Sequence, residues 1–367
     1  MEFNPIYSVS TKTARNLMRI EAVCQKFTHL PLTVSMQHRL RETARLLSTH
    51  YSTEIEGNRL TLEQAREVVQ EDRHFPGRER DEQEVLGYYQ ALDAVEEFSA
   101  RQKPVSEKLI KQLHALVMGK GRKIPKPSEY REGQNVIRES GSRRIVYMPP
   151  EAKDVAVLMT QLVEWVNSSM RRDFPVPLIA GIAHYQFATI HPYYDGNGRT
   201  ARLLTTCIMH LGGYDLKGFY SLEEYYAKNL SRYYDALTMG PSHNYYMGRA
   251  EADITPWIDY FCEGAAEAFE AVCKQAEQEA DAGKSDTSTI LRSLDARQRK
   301  ALTLFAQSDW MVSADVARLF ALQPRTAREL CRKWCENGFL EPLTTARKNR
   351  RYGLTEKIKT GVLEDRI

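Results

Sequence analysis

The sequence predicts a mainly α-helical protein with one small β-hairpin and, toward its end, a winged helix-turn-helix domain. Three observations carry that expectation. Apolar residues recur at steps of three and four through most of the chain, which is the helical period. Only the stretches 134–150 and 339–354 carry strand and turn signals. A polar run without apolar periodicity, Asp281-Ala-Gly-Lys-Ser-Asp-Thr-Ser-Thr289, sets the last segment apart. The expected divisions are an N-terminal helical region, 1–110, a central core, 111–282, and a terminal domain, 290–367.

Each element has its own signal. Ala14 to Phe27 is a short amphipathic segment in an otherwise irregular start. A helix from Gln37 runs through Leu40, Ala44 and Leu47 toward Ser52 and stops at Gly57-Asn58. Thr61-Leu-Glu-Gln64 is a capping box that opens the next helix. Residues 81–100 and 106–118 read as two more helices, the second capped by Ser106 after Pro104. Lys120-Gly-Arg-Lys-Ile-Pro-Lys-Pro then breaks the periodicity. Gln134-Asn-Val-Ile137-Arg, a turn at Gly141 and Arg144-Ile-Val-Tyr-Met make the β-hairpin. Helices follow at Val155–Val166, with Leu158, Leu162 and Trp165 facing inward, and at Leu178–Ile190. Another starts near Arg202 and ends at Gly212-Gly213; a Tyr-rich one spans Leu222–Leu237; a long one closes the core at Ile254–Ala280. In the last domain, Ala301–Phe305, Ser313–Phe320 and Pro324–Trp334 are helical. Phe339-Leu340 and Arg350-Arg-Tyr-Gly-Leu form a wing around Arg347-Lys-Asn-Arg-Arg.

Composition narrows the function class. With 42% hydrophobic and 27% charged residues among 367, the chain has the makeup of an ordinary soluble protein. It contains no run of eighteen apolar residues, and its start lacks the basic and apolar regions of a signal peptide, so no membrane partner is expected. Six scattered cysteines fit free thiols in the cytoplasm; Cys331 and Cys335 have no second pair to complete a zinc site. The net charge of +3 is unevenly spread. Residues 291–367 carry 16 Lys/Arg against 9 Asp/Glu, a balance of +7, and residues 1–290 carry 35 against 39, or −4. The basic end, with Arg325, Thr326, Arg328 and Arg332 on the expected recognition helix, makes DNA a candidate partner; protein docking is the other use of such a domain.

The chain's chemistry is concentrated in His191-Pro-Tyr-Tyr-Asp195-Gly-Asn-Gly198-Arg199-Thr-Ala-Arg202, between two helical segments. Backbone amides of Gly196, Asn197 and Gly198 are expected at the positive end of the second helix, a ready place for phosphate oxygens. His191 is suited to proton transfer near neutral pH and Asp195 to a hard cation. Arg199 and Arg202, three apart, share one helix face and can grip further phosphates. The run from Gly196 to Ala201 also fits G-x-G-x-x-A, with Asp215 19 residues beyond Gly196. A dinucleotide fingerprint needs a strand before its glycines, and here a helix precedes them.

This run resembles the Fic family signature HPFx[D/E]GNGRxxR, with Tyr193 where that family has Phe. The resemblance implies transfer of AMP from ATP to a Ser, Thr or Tyr hydroxyl of a target protein, with release of pyrophosphate. His191 is then the general base and Asp195 the Mg²⁺ ligand. Gly196, Asn197, Gly198, Arg199, Thr200, Ala201 and Arg202 form the nucleotide cradle. The hairpin is similar to the Fic flap, which implies target binding there and Ile137 near the nucleotide. Tyr233-Tyr234 matches the aromatic pair that lies on adenine, with Tyr234 in contact. Ser52…Glu56-Gly57 resembles the family's inhibitory motif [S/T]xxxE[G/N], which implies that Glu56 pairs with Arg202 and blocks productive ATP binding. The resemblance leaves open the reverse reaction, de-AMPylation, the chain itself as target, and a homodimer. An ATP-sensing DNA-binding regulator is the rival from another class.

Overall fold

The computed structural model describes residues 3–30, 32–119, 125–138, 145–238, 243–282, 294–305, 310–343, 350–356 and 358–359. Two compact units result: Met1–Thr28 with Arg41–Cys273, and His29–Leu40 with Lys274–Ile367. Among the described residues no helix is long and apolar enough to cross a membrane. The predicted helical class with few strands is what forms.

The first unit takes its helices in the order α1 (Thr11–Thr28), α2 (Val34–Ile55, from residue 41), α3 (Leu62–Glu71), α4 (Glu79–Ala100) and α5 (Glu107–Val117). Then come β1 (Ile137–Arg138), β2 (Ile145–Tyr147), α6 (Ala152–Arg171), α7 (Val176–Ile190) and α8 (Asn197–Leu211). The unit closes with α9 (Leu222–Lys228), α10 (Leu230–Leu237) and α11 (Thr255–Ala282, to residue 273). α7 is buried on every face, because its sequence from Pro177 to Ile190 is apolar nearly all round. It packs on α6 and α8, and α8 packs on α4 and α5. The residues that follow α7 and open α8 are therefore held from both sides by core helices. α1 is tied to α11 by a bidentate pair from Arg19 to Glu270, at 2.8 and 2.6 Å.

The Thr61 capping box forms with both reciprocal bonds, and Ser106 caps α5. β1 and β2 pair antiparallel, with Ile137 opposite Tyr147. The hairpin's expected turn at Gly141 lies outside the described residues. Four expectations need correction. The amphipathic start is a full 18-residue helix, because Ile20, Val23 and Phe27 are all buried. On α6 the inward face is Val155, Met159, Leu162 and Val166, with Leu158 and Trp165 only half-buried on its flanks. The Tyr-rich helix is broken at Asn229, whose φ of −122° is not helical, so α9 and α10 are separate. α8 begins at Asn197, before Arg202, so the glycines belong to the helix start itself.

The second unit contains α12 (Ala296–Ala301), continued by a 3-10 turn to Phe305, then β3 (Met311–Val312), α13 (Ser313–Phe320) and α14 (Pro324–Glu336). β4 (Leu340–Pro342) and β5 (Arg351–Leu354) follow, and the sheet order is β3-β5-β4, antiparallel throughout. β3 was not foreseen, since two residues are too few to show a period. Its core is Phe305, Val316, Cys331, Trp334, Phe339 and Leu354. Residues 344–349, most of the expected basic wing, and the polar stretch from 283 lie outside the described residues.

Candidate active site

The loop between α7 and α8 turns on two left-handed residues. His191 ends α7 at φ 51°, ψ 60°, with its amide donating to Phe187 O at 2.9 Å. Gly196 precedes α8 at φ 73°, a conformation that costs glycine little and other residues more. The first backbone bond of α8 runs from the Thr200 amide to Gly196 O. The amides of Asn197, Gly198 and Arg199 therefore precede the hydrogen-bonded ladder and open outward from the helix end. The Asn197 side chain is spent on the loop: its Oδ1 accepts from the Tyr193 amide at 2.9 Å and its Nδ2 donates to Tyr193 O at 2.8 Å. Thr200 and Ala201 are fully buried, and the Thr200 hydroxyl donates to Gly196 O. Both brace α8 rather than line an open site.

His191 is half-buried, and its Nδ1 lies 3.3 Å from Ala188 O. A carbonyl only accepts, so Nδ1 carries the proton and Nε2 keeps its lone pair. Burial pushes the imidazole pKa down to about 4, against the opposing pull of the Ala188 bond and the Glu56 and Asp195 charges. At neutral pH the ring is an unprotonated base.

Two guanidinium groups lie under the loop. Arg199 is 2% exposed, with Glu84 at 3.7 Å and Asp195 at 3.5 Å. Its Nε and Nη1 have no hydrogen-bond partner among the described residues. A buried cation with open donors suits an anionic ligand. Arg202 is 1% exposed and fully engaged: Nε donates to Ser52 Oγ at 2.7 Å, and Nη2 to Ser52 O at 2.9 Å and Glu56 Oε1 at 2.8 Å. Burial pulls the charge of Arg202 toward loss, and the Glu56 carboxylate together with Tyr233 and Tyr88 more than offsets that, so its pKa is raised. The sequence placed Ser52 and Glu56 some 150 residues from Arg202; the fold joins them. A Cβ on Gly198 would lie 2.3 Å from Glu56 Oε1, so the carboxylate sits directly on the start of α8.

Asp195 points outward, its side chain about half exposed, and Oδ1 accepts from the Gly196 amide at 2.6 Å. Among the described residues no three His, Cys, Asp or Glu gather into a metal cage. Tyr234 is half exposed at the rim, with its hydroxyl 3.4 Å from Ile55 O. Tyr233 is a core residue that bonds His184 at 2.9 Å. Ile137 lies two residues past Asn135, whose Nδ2 donates to Tyr193 O at 3.2 Å. The hairpin strand is thereby tied to the loop, although among the described residues no hydrogen bond joins Ile137 itself to the loop.

Three positioning groups escaped the sequence reading. The His114 ring stacks on Tyr193 with centroids 3.5 Å apart, and its Nε2 donates to Asp195 O at 2.9 Å. Arg131 is 3% exposed and donates to His191 O and Gly133 O, both at 3.0 Å. Glu84 faces Arg199 from α4. No local motif marks any of them. The extra hydroxyl of Tyr193 is buried without a partner among the described residues.

Comparison with known proteins bears on the same stretch. The Fic/DOC family model matches residues 104–209. The chain is 30% identical over 207 residues to a protein adenylyltransferase Fic of Drosophila willistoni, covering 56% of this chain and 40% of that protein. It is 32% identical over 181 residues to the protein of the same name in Drosophila mojavensis, covering 49% and 34%. It thus spans less than half the length of these relatives. A Fic family protein from Desulfovibrio desulfuricans superposes with a TM-score of 0.60 at 22% identity, over 96% of this chain and 99% of that one. Fic-1 from C. elegans gives 0.58 at 23%, over 74% of each chain. The segment that carries α5 to α8 and the loop from His191 to Arg202 is thus the part of this chain that is similar to the Fic/DOC family.

Proposed function

We propose that the chain is a protein adenylyltransferase held in check by Glu56, transferring AMP from ATP to a Ser, Thr or Tyr hydroxyl of a target protein. The observation that carries the reading is the open N-terminus of α8, flanked by a neutral His191 and two buried guanidinium groups. The names borne by the relatives agree with it. Nε2 of His191 takes the hydroxyl proton as that oxygen attacks the α-phosphorus. The bond from the α-phosphorus to the bridging oxygen breaks, and pyrophosphate leaves. The amides of Asn197, Gly198 and Arg199 hold the α-phosphate oxygens as charge develops. Arg199 brings open donors to the outer phosphates. Arg202 joins it only after releasing Glu56, which is why the resting site is inhibited.

Asp195, an outward-facing carboxylate beside this cradle, fits Mg²⁺, which takes one or two carboxylates and completes its shell with substrate oxygens and water. When bound, the ion neutralises phosphate charge. We assign the hairpin to the target segment, Ile137 within it to the neighbourhood of the nucleotide, and Tyr234 to the adenine.

The test is the mass of purified Glu56→Gly protein after incubation with ATP and Mg²⁺. A gain of one AMP is expected. Equal absence of label from α-labelled ATP in the wild type, in Glu56→Gly and in added protein acceptors would overturn the reading. A second reading, removal of AMP, is favoured by the position of Glu56 against Gly198, where a carboxylate can orient water. Release of AMP from a premodified protein by wild type but not Glu56→Gly would decide for it.

For residues 290–367 we propose a winged helix-turn-helix, with α14 as its recognition helix and DNA as its partner. Arg325 and Arg332 pair at 3.4 Å with Glu329 and Glu336, which lowers the helix's free positive charge.

A further inference from the structure

Ser48 and Ser52 stand four residues apart on one face of α2, and Glu56 follows directly after the last residue of that helix, Ile55. The lower two thirds of that stripe grip Arg202. The upper end meets a second charge that the proposed chemistry does not use. Glu223, in the first turn of α9, is 2% exposed. Its Oε2 accepts from Ser48 Oγ at 2.8 Å and Ser221 Oγ at 3.1 Å, and its Oε1 accepts from Tyr88 Oη at 3.0 Å. All three donors are buried hydroxyls. A buried carboxylate without a direct cation is expensive unless its oxygens are satisfied, and here every donor that satisfies it fixes a different helix or cap. Tyr88 comes from α4, Ser48 from α2, and Ser221 caps α9 itself.

Tyr88 also ties the two charges together. Burial and the Glu223 charge push its phenol pKa well up, so it stays the donor to Glu223, and Arg202 and Ser52 act on the same phenol from the other side. Arg202 thus faces Glu56 on its open side and the Ser52–Tyr88–Glu223 group on its buried side. The α2 backbone is pinned at Ser52 by Arg202 and one turn earlier by Glu223.

We propose that Glu223 is a positioning residue for autoinhibition: by holding Ser48 it fixes the register of α2, and so keeps Glu56 on Arg202 and on the start of α8. The inference rests on the reading of Glu56 as inhibitor. It adds that release is a displacement of α2 and not merely a rotation of the Glu56 side chain, because a rotation would leave the Ser48–Glu223 bond intact.

A double-mutant cycle tests this. Ser48→Ala removes one hydrogen bond to a charged group, a loss that typically shifts an equilibrium about tenfold or more. Binding of Mg·ATP to Ser48→Ala is expected to be about tenfold tighter than to wild type. Ser48→Ala/Glu56→Gly is expected to match Glu56→Gly within about twofold, since the inhibitor is already gone. A general loss of structure would shift both backgrounds alike. Amide hydrogen exchange of residues 49–56 supplies a readout independent of ATP, and Ser48→Ala should speed it about tenfold. Glu223→Gln, which removes the charge and replaces one of the two acceptor oxygens with an NH2 donor, should act in the same direction. Unchanged exchange and ATP affinity in Ser48→Ala, or equal shifts in both backgrounds, would overturn the proposal. Failure of Glu56→Gly itself to bind ATP better than wild type would instead sink the inhibitory reading, and the role of Glu223 with it.

Discussion

Replacing Glu56 by Gln or Gly should move activity and stability in opposite directions. Arg202 is 1% exposed and Glu56 27%, so the pair is desolvated mostly on the arginine side. A hydrogen bond to a charged group contributes on the order of 1.5–3 kcal/mol net. The partial exposure of Glu56 argues for the low end, about 1.5 kcal/mol. Under the proposed inhibition that energy opposes ATP, because the terminal phosphate would need the same Nη2. Its removal in Glu56→Gly should tighten ATP binding by about tenfold, and the vacated space beside Gly198 should add to that. The same change leaves a buried guanidinium without its carboxylate, held by the neutral oxygens of Ser52 and Tyr233. The cost of about 1.5 kcal/mol should lower Tm by about 3–6 °C for a unit of this size. Glu56→Gln keeps the acceptor and should fall between the two in both readouts. The assay is calorimetric titration with Mg·ATP alongside thermal unfolding. Tighter ATP binding with an unchanged or higher Tm would refute the account of the Arg202 pair, and so would a lower Tm with unchanged affinity.

His191→Ala in the Glu56→Gly background should abolish AMP transfer while leaving ATP affinity within about threefold, because in the proposed mechanism the imidazole meets the hydroxyl and not the triphosphate. With its pKa near 4, His191 stays deprotonated down to mildly acidic pH, so single-turnover transfer should be flat from pH 8 to about 5.5; an inflection near 6.5 would mean that the ring is not buried in the working enzyme. His184 accepts from Tyr233 through Nε2 and faces Thr205 through Nδ1, and burial pushes its pKa to about 3. Its folded pKa lies below the ordinary 6.5, so the unfolded chain binds the extra proton first, and stability should fall as pH drops below 6.5 by about 1.4 kcal/mol per pH unit. Urea midpoints at pH 7 and pH 5 measure this, and His184→Gln should flatten the difference. His114→Phe keeps the stack on Tyr193 but loses the bond to Asp195 O, so it should raise the Mg²⁺ concentration needed for half-maximal transfer several-fold; Mg²⁺ dependence identical to wild type would remove His114 as a positioning residue. If residues 290–367 bind DNA, Arg328→Ala should reduce the slope of log affinity against log salt by about 1.

The loop was legible because its constraints are local. Gly196 must turn left-handed, Asn197 must reach back to Tyr193, and His191 must close α7, and all three demands fall within seven consecutive residues. Helical period and capping chemistry likewise gave α3, α5 and α7 their places, since Thr61, Ser106 and an unbroken apolar run act within one turn. What stayed hidden is whatever acts across helices. His114 sits in a helix whose sequence gives no reason to single it out; only the fold stacks it on Tyr193, 79 positions later, and the same holds for Glu84 under Arg199. Glu56 was found only through a resemblance, because nothing in a four-residue spacing reveals that Arg202 lies at its end. The Tyr-rich stretch failed for the converse reason. Tyr225, Tyr226 and Tyr233 look like one amphipathic stripe, yet two of them pack on each other and on Tyr260 at angles that a single straight helix does not supply, and the chain yields at Asn229. Local chemistry therefore identifies the candidate loop, whereas the contacts proposed to control it belong to side chains that meet only in the folded unit. If Glu56 inhibits as proposed, such an inhibitor can be tuned from Ser48, Tyr88 or Glu223 without touching a residue assigned to ATP, which would leave the chemistry intact while the resting activity varies.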